Sequence, residues 1–297
     1  MENLGITCRI STLVASCDRY YKLWPIWYEN LKGCWTDTSY PIFLGTNTST
    51  FQSKDLDVKT VYSTLEKSWS ERVVEWLDQL SSEYVLLLLD DFILKYPVAY
   101  EKLESLIDLM EEYNSPYLRI FSFPGPSEIL DKDLCVGTID KEEPYLISLQ
   151  ASLWKVEFLR KICKPGESPW QFEIYGSERA REFVYENPGI CFLTCYRKRP
   201  IIYYEQLIEG GVVPRTRLWQ IKKGQELLDD WPRMPIGNDL LQFSKFYLSR
   251  LLYSLPSKIR IPTVKLARYL SEKLHLGRSH GRKTKQTAQF FGDPKVD

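Results

Sequence analysis

The sequence predicts an α/β protein: a mostly parallel central sheet flanked by helices, with a basic helical extension at the C-terminal end. Three observations carry this. Residues 84–89, Tyr-Val-Leu-Leu-Leu-Leu, form an unbroken apolar run, the pattern of a strand buried on both faces. Strand-like and helix-like segments alternate over the first part of the chain, as βαβ units do. Charge is segregated. Residues 241–297 hold 12 Lys/Arg against 3 Asp/Glu, a net of +9, while the remainder holds 27 against 36, a net of −9, so the whole chain sums to zero.

The elements follow in order. Residues 9–17 read as a first strand running into Asp18-Arg19-Tyr20, then a helix to Leu31 with Pro25 in its first turns. Residues 40–47 and 58–62 are the second and third strands. Ser68-x-x-Glu71 is a capping box opening a helix with Val73, Val74, Leu77 and Leu80 on one face. The apolar strand then ends in Asp90-Asp91-Phe92. Residues 98–113 form an amphipathic helix, and 117–123 a strand. Pro124-Gly125-Pro126 breaks the pattern, and 124–143 read as a polar loop. Residues 145–154 are strand-like, 155–163 helical, 164–170 a loop, and 171–181 a short helix. Residues 190–196 and 200–204 read as late strands, paired as a hairpin.

A domain of residues 1–238 is expected, followed by an extension of 239–297. Asn238-Asp239 would cap a helix carrying Leu240, Phe243, Tyr247, Leu248, Leu251, Leu252 and Leu255, ended by Pro256. A second helix would start near Thr263. The last twenty residues are polar, basic and expected to be disordered.

Composition narrows the function classes. The seven cysteines include no CxxC pair, and Cys191-x-x-x-Cys195 lies in an apolar segment, so reduced buried thiols are expected rather than zinc or disulfides. The N-terminus lacks the basic start and long apolar stretch of a signal peptide, and no apolar run reaches membrane-span length. A cytoplasmic location is expected, with peripheral contact at the inner face of the membrane. The 240–255 stripe, taken alone, would pack on the preceding domain. Residues 258–285, basic and apolar in alternation, suit an anionic membrane surface. No nucleic-acid motif accompanies these basic residues, and nucleic acid is not an expected partner.

Two adjacent carboxylates at the end of a buried strand are costly unless solvated, paired or holding a cation. Ligands of open α/β sheets bind beyond the carboxyl ends of the strands. Asp90 and Asp91 therefore mark a candidate site for a divalent metal and a phosphorylated ligand.

The order strand, Ala15-Ser16-Cys17-Asp18-Arg19, helix, strand, helix, Leu-Leu-Leu-Asp90-Asp91-Phe92 resembles the Rossmann-like GT-A fold of nucleotide-sugar glycosyltransferases, family-2-like and of the bacterial surface-polysaccharide type. The resemblance covers about residues 8–205. It implies Mn²⁺ or Mg²⁺ against the donor diphosphate, with Asp91 on the metal and Asp90 on metal or ribose. It implies Ser16, Asp18 and Arg19 at the base or ribose, and Ser70 and Arg72, at the start of the capped helix with Trp69, on the nucleotide. Glu167-Ser-Pro-Trp170-Gln-Phe-Glu173 resembles the acidic segment of inverting members. Glu173 is the expected base for an acceptor hydroxyl, Glu167 the second choice, and Trp170 a stacking platform for a sugar. The implied activity is hexosyl transfer from a nucleotide diphosphate sugar to a glycan or lipid-linked acceptor in polysaccharide synthesis. The family's late histidine ligand has no counterpart before His275 and His280, in the basic tail. The alternatives are a nucleotidyltransferase, against which the absence of glycines after the first strand counts, and a non-catalytic, membrane-associated binding protein. A haloacid-dehalogenase-type phosphatase would need one residue between its two acids.

Overall fold

The computed structural model of the chain describes residues 8–204, 212–215 and 231–273. The chain divides into two compact units, 1–205 and 206–297.

Unit one is built on a nine-stranded sheet. Its strands are β1 (Ile10–Ala15), β2 (Ile42–Thr46), β3 (Val58–Tyr62), β4 (Tyr84–Leu89), β6 (Tyr117–Arg119), β7 (Glu128–Asp131), β8 (Val136–Thr138), β9 (Ser152–Lys155) and β10 (Leu193–Cys195). Their order is β3-β2-β1-β4-β9-β6-β10-β8-β7. The first four are mutually parallel, β9 runs antiparallel between β4 and β6, and β10 is parallel to β6. This is the expected α/β architecture, a large central sheet with a parallel half flanked by helices. The antiparallel strand matters for function. Leu87 of β4 pairs with Ser152 of β9, so the start of β9 lies at the edge where β4 ends.

Helices α1 (Trp24–Cys34) and α3 (Tyr100–Glu112) cover one face; α2 (Trp69–Leu77), α4 (Val156–Ile162) and α5 (Pro169–Glu186) cover the other. Alternate residues of β1 and β4 feed the two cores: Ile10, Val14, Leu86 and Leu88 join the α1/α3 side, and Leu13, Ala15, Val85 and Leu87 the α2/α5 side. A strand buried on both faces needs apolar residues at every position, which is why β4 reads as a continuous run. Gly45 in β2 has a packing reason: a Cβ there would lie 2.6 Å from the Trp76 ring of α2, whose indole N–H donates to the Thr46 carbonyl at 2.9 Å.

Several expectations are revised. Residues 124–143 are not all loop, because β7 and β8 form an edge hairpin that extends the sheet. Only Ser152–Lys155 of the 145–154 segment is strand. The short helix expected at 171–181 is eighteen residues long, because Ser168 and Gln171 form a capping box that starts it earlier. The two late strands do not form a hairpin. β10 pairs with β6 and β8, whereas β11 (Tyr203–Tyr204) pairs with β5 (Ile93–Leu94) in a separate ribbon just after the acidic turn.

Unit two contains α6 (Ile236–Tyr253) and α7 (Ser257–Lys273). Helix α6 starts two residues before the expected Asn238-Asp239 cap, with no side-chain cap. Helix α7 starts at Ser257 rather than Thr263 and runs through Pro262, placed in its second turn. The unit boundary falls well before the 238/239 junction expected from sequence.

Candidate functional site

Strand β4 carries Asp90 and Asp91 out of the core into a turn closed by the Phe92 N–H on the Leu89 carbonyl at 3.1 Å. Asp90 is buried and Asp91 half-buried. Parallel β1 ends alongside, so Ser16 sits next to Asp90 and donates its hydroxyl to it; the Trp24 indole N–H donates to that same hydroxyl oxygen at 2.8 Å. Burial first, and then the charge of Asp91, push the Asp90 carboxyl up to about 7, against the Ser16 hydrogen bond, which lowers it. Ser16 thus holds the Asp90 carboxyl in place.

The mouth of β1 completes the acidic edge. Burial and then the charge of Asp90 push up the Cys17 thiol, while the Arg72 guanidinium pulls the other way. Burial, followed by Cys17 and Asp90, pushes the Tyr20 hydroxyl up to about 12. Tyr20 is therefore an electrostatic neighbour of the acid pair, and Cys17 of Asp90 and Arg72. Arg72 also donates to the Asn47 side-chain carbonyl at 3.3 Å and lies over the Trp76 ring, while its Nε has no hydrogen-bond partner. A half-buried guanidinium with an unpartnered Nε can take a phosphate oxygen.

Asp18 and Ser70 are each held by a neighbouring loop. The Asp18 carboxylate accepts backbone N–H bonds from Asn47, Thr48 and Ser49 and the Thr48 hydroxyl at 2.8 Å. Burial pushes the carboxyl up, but these bonds outweigh it and hold it below its usual range. It staples the end of β1 to the loop after β2, and its acceptor capacity is committed there. Ser70 is fully buried; its N–H donates to the Glu167 carbonyl, and its hydroxyl donates to the Lys164 carbonyl and accepts from the Glu167 N–H. The start of α2 is thus bound by the 164–167 loop. Arg19 is exposed at the rim.

The two candidate bases separate clearly. Glu167 is buried, and both its oxygens accept from Arg179 at 2.8 and 2.6 Å, a bidentate pair that ties the loop before α5 to its third turn. Glu173, half-buried on α5, accepts the Leu149 N–H at 2.7 Å, and burial raises its carboxyl against that bond and the nearby Arg119 charge. A chain of contacts joins it to the acid turn. The Tyr203 ring stacks on Phe92 at 4.1 Å, and the Tyr203 hydroxyl donates to Gln150 Oε1 at 2.6 Å and accepts the Ala151 N–H at 3.1 Å. Leu149 precedes Gln150 and holds Glu173. Trp170, exposed, lies three residues before Glu173 and so on the same side of α5.

The acid pair fits a divalent cation in part. Two adjacent carboxylates, one raised by burial and then by its neighbour, are relieved by a cation between them, and oxygen donors suit Mg²⁺ or Mn²⁺. Among the described residues no group of three His, Cys, Asp or Glu could hold a metal, so the remaining ligands would come from phosphate and water. His275 and His280 lie outside the described residues.

Sequence reasoning missed Asn47, Cys17, Gln150 and Tyr203. The carboxyl-edge rule applied to β2 and β1 points to Asn47 and Cys17. Nothing in the local pattern marks Gln150 or Tyr203.

No protein-family model and no curated protein matches the sequence. Solved structures do align with the chain. S. aureus TarS 1–349 is 12% identical with a TM-score of 0.40, over 63% of this chain and 60% of that one. The chain therefore spans about three-fifths of that structure's length. The same protein in complex with UDP-GlcNAc aligns at 11% identity and 0.40, over 83% and 73%. Mannosyltransferase PcManGT from Pyrobaculum calidifontis, in complex with GDP-Man and Mn²⁺, aligns at 13% and 0.41, over 95% and 84%. A cytidylyltransferase from Leptospira borgpetersenii aligns at 11% and 0.40, over 76% and 99%. Likeness at this level describes chain path and assigns no residue.

Proposed function

We propose that this chain is a glycosyltransferase that moves a sugar from a nucleotide diphosphate donor to an acceptor hydroxyl, with inversion at the anomeric carbon. The observation that carries the reading is the acid turn after β4, wired through Phe92, Tyr203, Gln150 and Leu149 to a second carboxylate, Glu173, on the acceptor side. A cation-binding acid pair and a separate raised carboxylate on one sheet edge divide the work as sugar transfer requires.

In this reading Asp91, with Asp90 behind it, would hold Mn²⁺ or Mg²⁺, which when bound supplies charge neutralisation to the leaving diphosphate. Arg72 binds a phosphate oxygen, and Asn47 orients Arg72. Ser16 and Trp24 hold the Asp90 carboxyl in place. Glu173 removes the acceptor hydroxyl proton as that oxygen bonds to the anomeric carbon and the bond to the donor phosphate breaks. Its raised basicity suits a base working near neutral pH. Trp170 stacks on the acceptor sugar. The acceptor is a glycan or lipid-linked glycan of surface polysaccharide synthesis.

Phosphorus NMR of the full chain with Mn²⁺ and a panel of nucleotide sugars tests this. Slow release of nucleoside diphosphate is expected from at least one donor, lowered about 100-fold or more by Glu173→Gln. No release from any donor, or an unchanged rate in Glu173→Gln, contradicts the reading.

A further inference from the structure

Helix α6 buries only Asp239 among its eighteen residues. Its large apolar side chains point the other way: Ile236, Leu240, Tyr247, Leu248 and Leu251 are all more than half exposed. Their spacing of three, four and seven puts them on one side of the helix, next to Leu241, and exposed Lys245, four residues after Leu241 and three before Leu248, flanks that side. The other side carries half-buried Phe243, Phe246, Leu252 and Tyr253, so α6 is apolar on both sides and one of them is left exposed.

Helix α7 repeats the arrangement. Ile261 and Val264 are buried, while Ile259, Leu266 and Tyr269 are more than half exposed on a second stripe. Exposed Lys258 and Lys265 flank that stripe. The buried Arg260 guanidinium donates to the Tyr253 and Leu255 carbonyls at 3.3 and 2.7 Å, so it caps the end of α6 and fixes the joint between the helices. The outward apolar faces thus belong to a built helical pair.

We propose that α6 and α7 form an in-plane contact with an anionic lipid bilayer, their apolar stripes entering the headgroup–acyl boundary and Lys258 and Lys265 meeting lipid phosphates. Neither helix is long and apolar enough to cross a membrane, so the pair lies on the surface. Charge selects lipid over a second copy of the chain. The segment from 241 onward carries a net of +9, and a self-complementary contact would bring like charges together. An anionic leaflet supplies the opposite sign. The inference is independent of the catalytic reading: either can fail without the other.

The test is co-sedimentation of the full chain with vesicles of phosphatidylcholine alone and of equal parts phosphatidylcholine and phosphatidylglycerol. Binding is expected to the mixed vesicles and not to the neutral ones. Leu248→Ser/Leu251→Ser and Lys258→Glu/Lys265→Glu each replace exposed side chains, so both fold, and each lowers the partition coefficient at least about tenfold. No binding to mixed vesicles overturns the proposal, as does binding that both variants leave unchanged. A concentration-dependent dimer in sedimentation velocity that Leu248→Ser/Leu251→Ser abolishes, without vesicle binding by the parent, assigns the face to self-association and overturns it too.

Discussion

Burial of Asp90 sets its carboxyl between the half-buried Asp91 and the Ser16 hydroxyl, and the two neighbours act in opposite directions. The consequence for stability has a definite sign. The folded carboxyl titrates near 7, well above its ordinary value of 3.8, so the fold binds this proton more tightly than the unfolded chain does. The stability this supplies is complete below 3.8 and is lost as pH rises through about 7. Asp90→Asn keeps an acceptor for Ser16 and removes the buried charge. It should stabilise the protein by on the order of 2–4 kcal/mol at pH 8–9, a gain that fades toward pH 4, measured by urea unfolding across pH. Ser16→Ala should cost about 1–3 kcal/mol, since Asp90 and Trp24 both lose a partner in a buried place. Equal stability of Asp90→Asn and parent at pH 8–9 would show that Asp90 is not held as described.

At the scale of elements, two glutamates around the start of α5 have different work: Glu167 in the loop before it and Glu173 on the helix. Glu167 is locked to Arg179, and Glu173 faces the loop before β9. Glu167→Gln should lower stability by about 2–4 kcal/mol while kcat stays within a few-fold, the reverse of Glu173→Gln. Thermal melts alongside donor turnover separate the two. The β5–β11 ribbon joins the acid turn to the base loop through one hydroxyl. Tyr203→Phe keeps the stack on Phe92 and removes the bonds to Gln150 and Ala151. It should reduce kcat about tenfold with KM for the donor little changed, because the base loop shifts while the phosphate site stays. A change confined to KM would assign Tyr203 to donor binding instead.

What was legible in sequence follows from range. β4 and the Ser68/Glu71 cap are local patterns, an apolar run and a four-residue box, and both are present. The start of α5 was missed although Ser168-x-x-Gln171 is the same box with glutamine. Residues 145–151 look like a strand but are wired as a loop. Their N–H groups go to the Glu173, Tyr117, Ser177 and Tyr203 side chains, partners 24 to 52 residues away by sequence separation. The Glu167–Arg179 pair is not legible because the two stand twelve residues apart with no periodic link. Asp18 and Ser70 stand where a ligand would be expected, but their bonds are taken by loops 29 to 97 residues distant.

For the whole molecule, the parallel half of the sheet brings β1, β2 and β4 to one edge, and the antiparallel β9 returns the base loop to that edge. The second unit presents apolar faces of its own. The central claim concerns the edge: Asp91 and Arg72 bind a nucleoside diphosphate with a divalent cation. Calorimetric titration of the full chain with UDP, GDP, CDP, ADP and dTDP, with and without Mn²⁺, tests it most directly. One nucleotide should bind in the micromolar range only with Mn²⁺, and Asp91→Ala should weaken it at least about tenfold. No binding of any nucleotide with Mn²⁺ present, or equal binding by Asp91→Ala, would contradict the account.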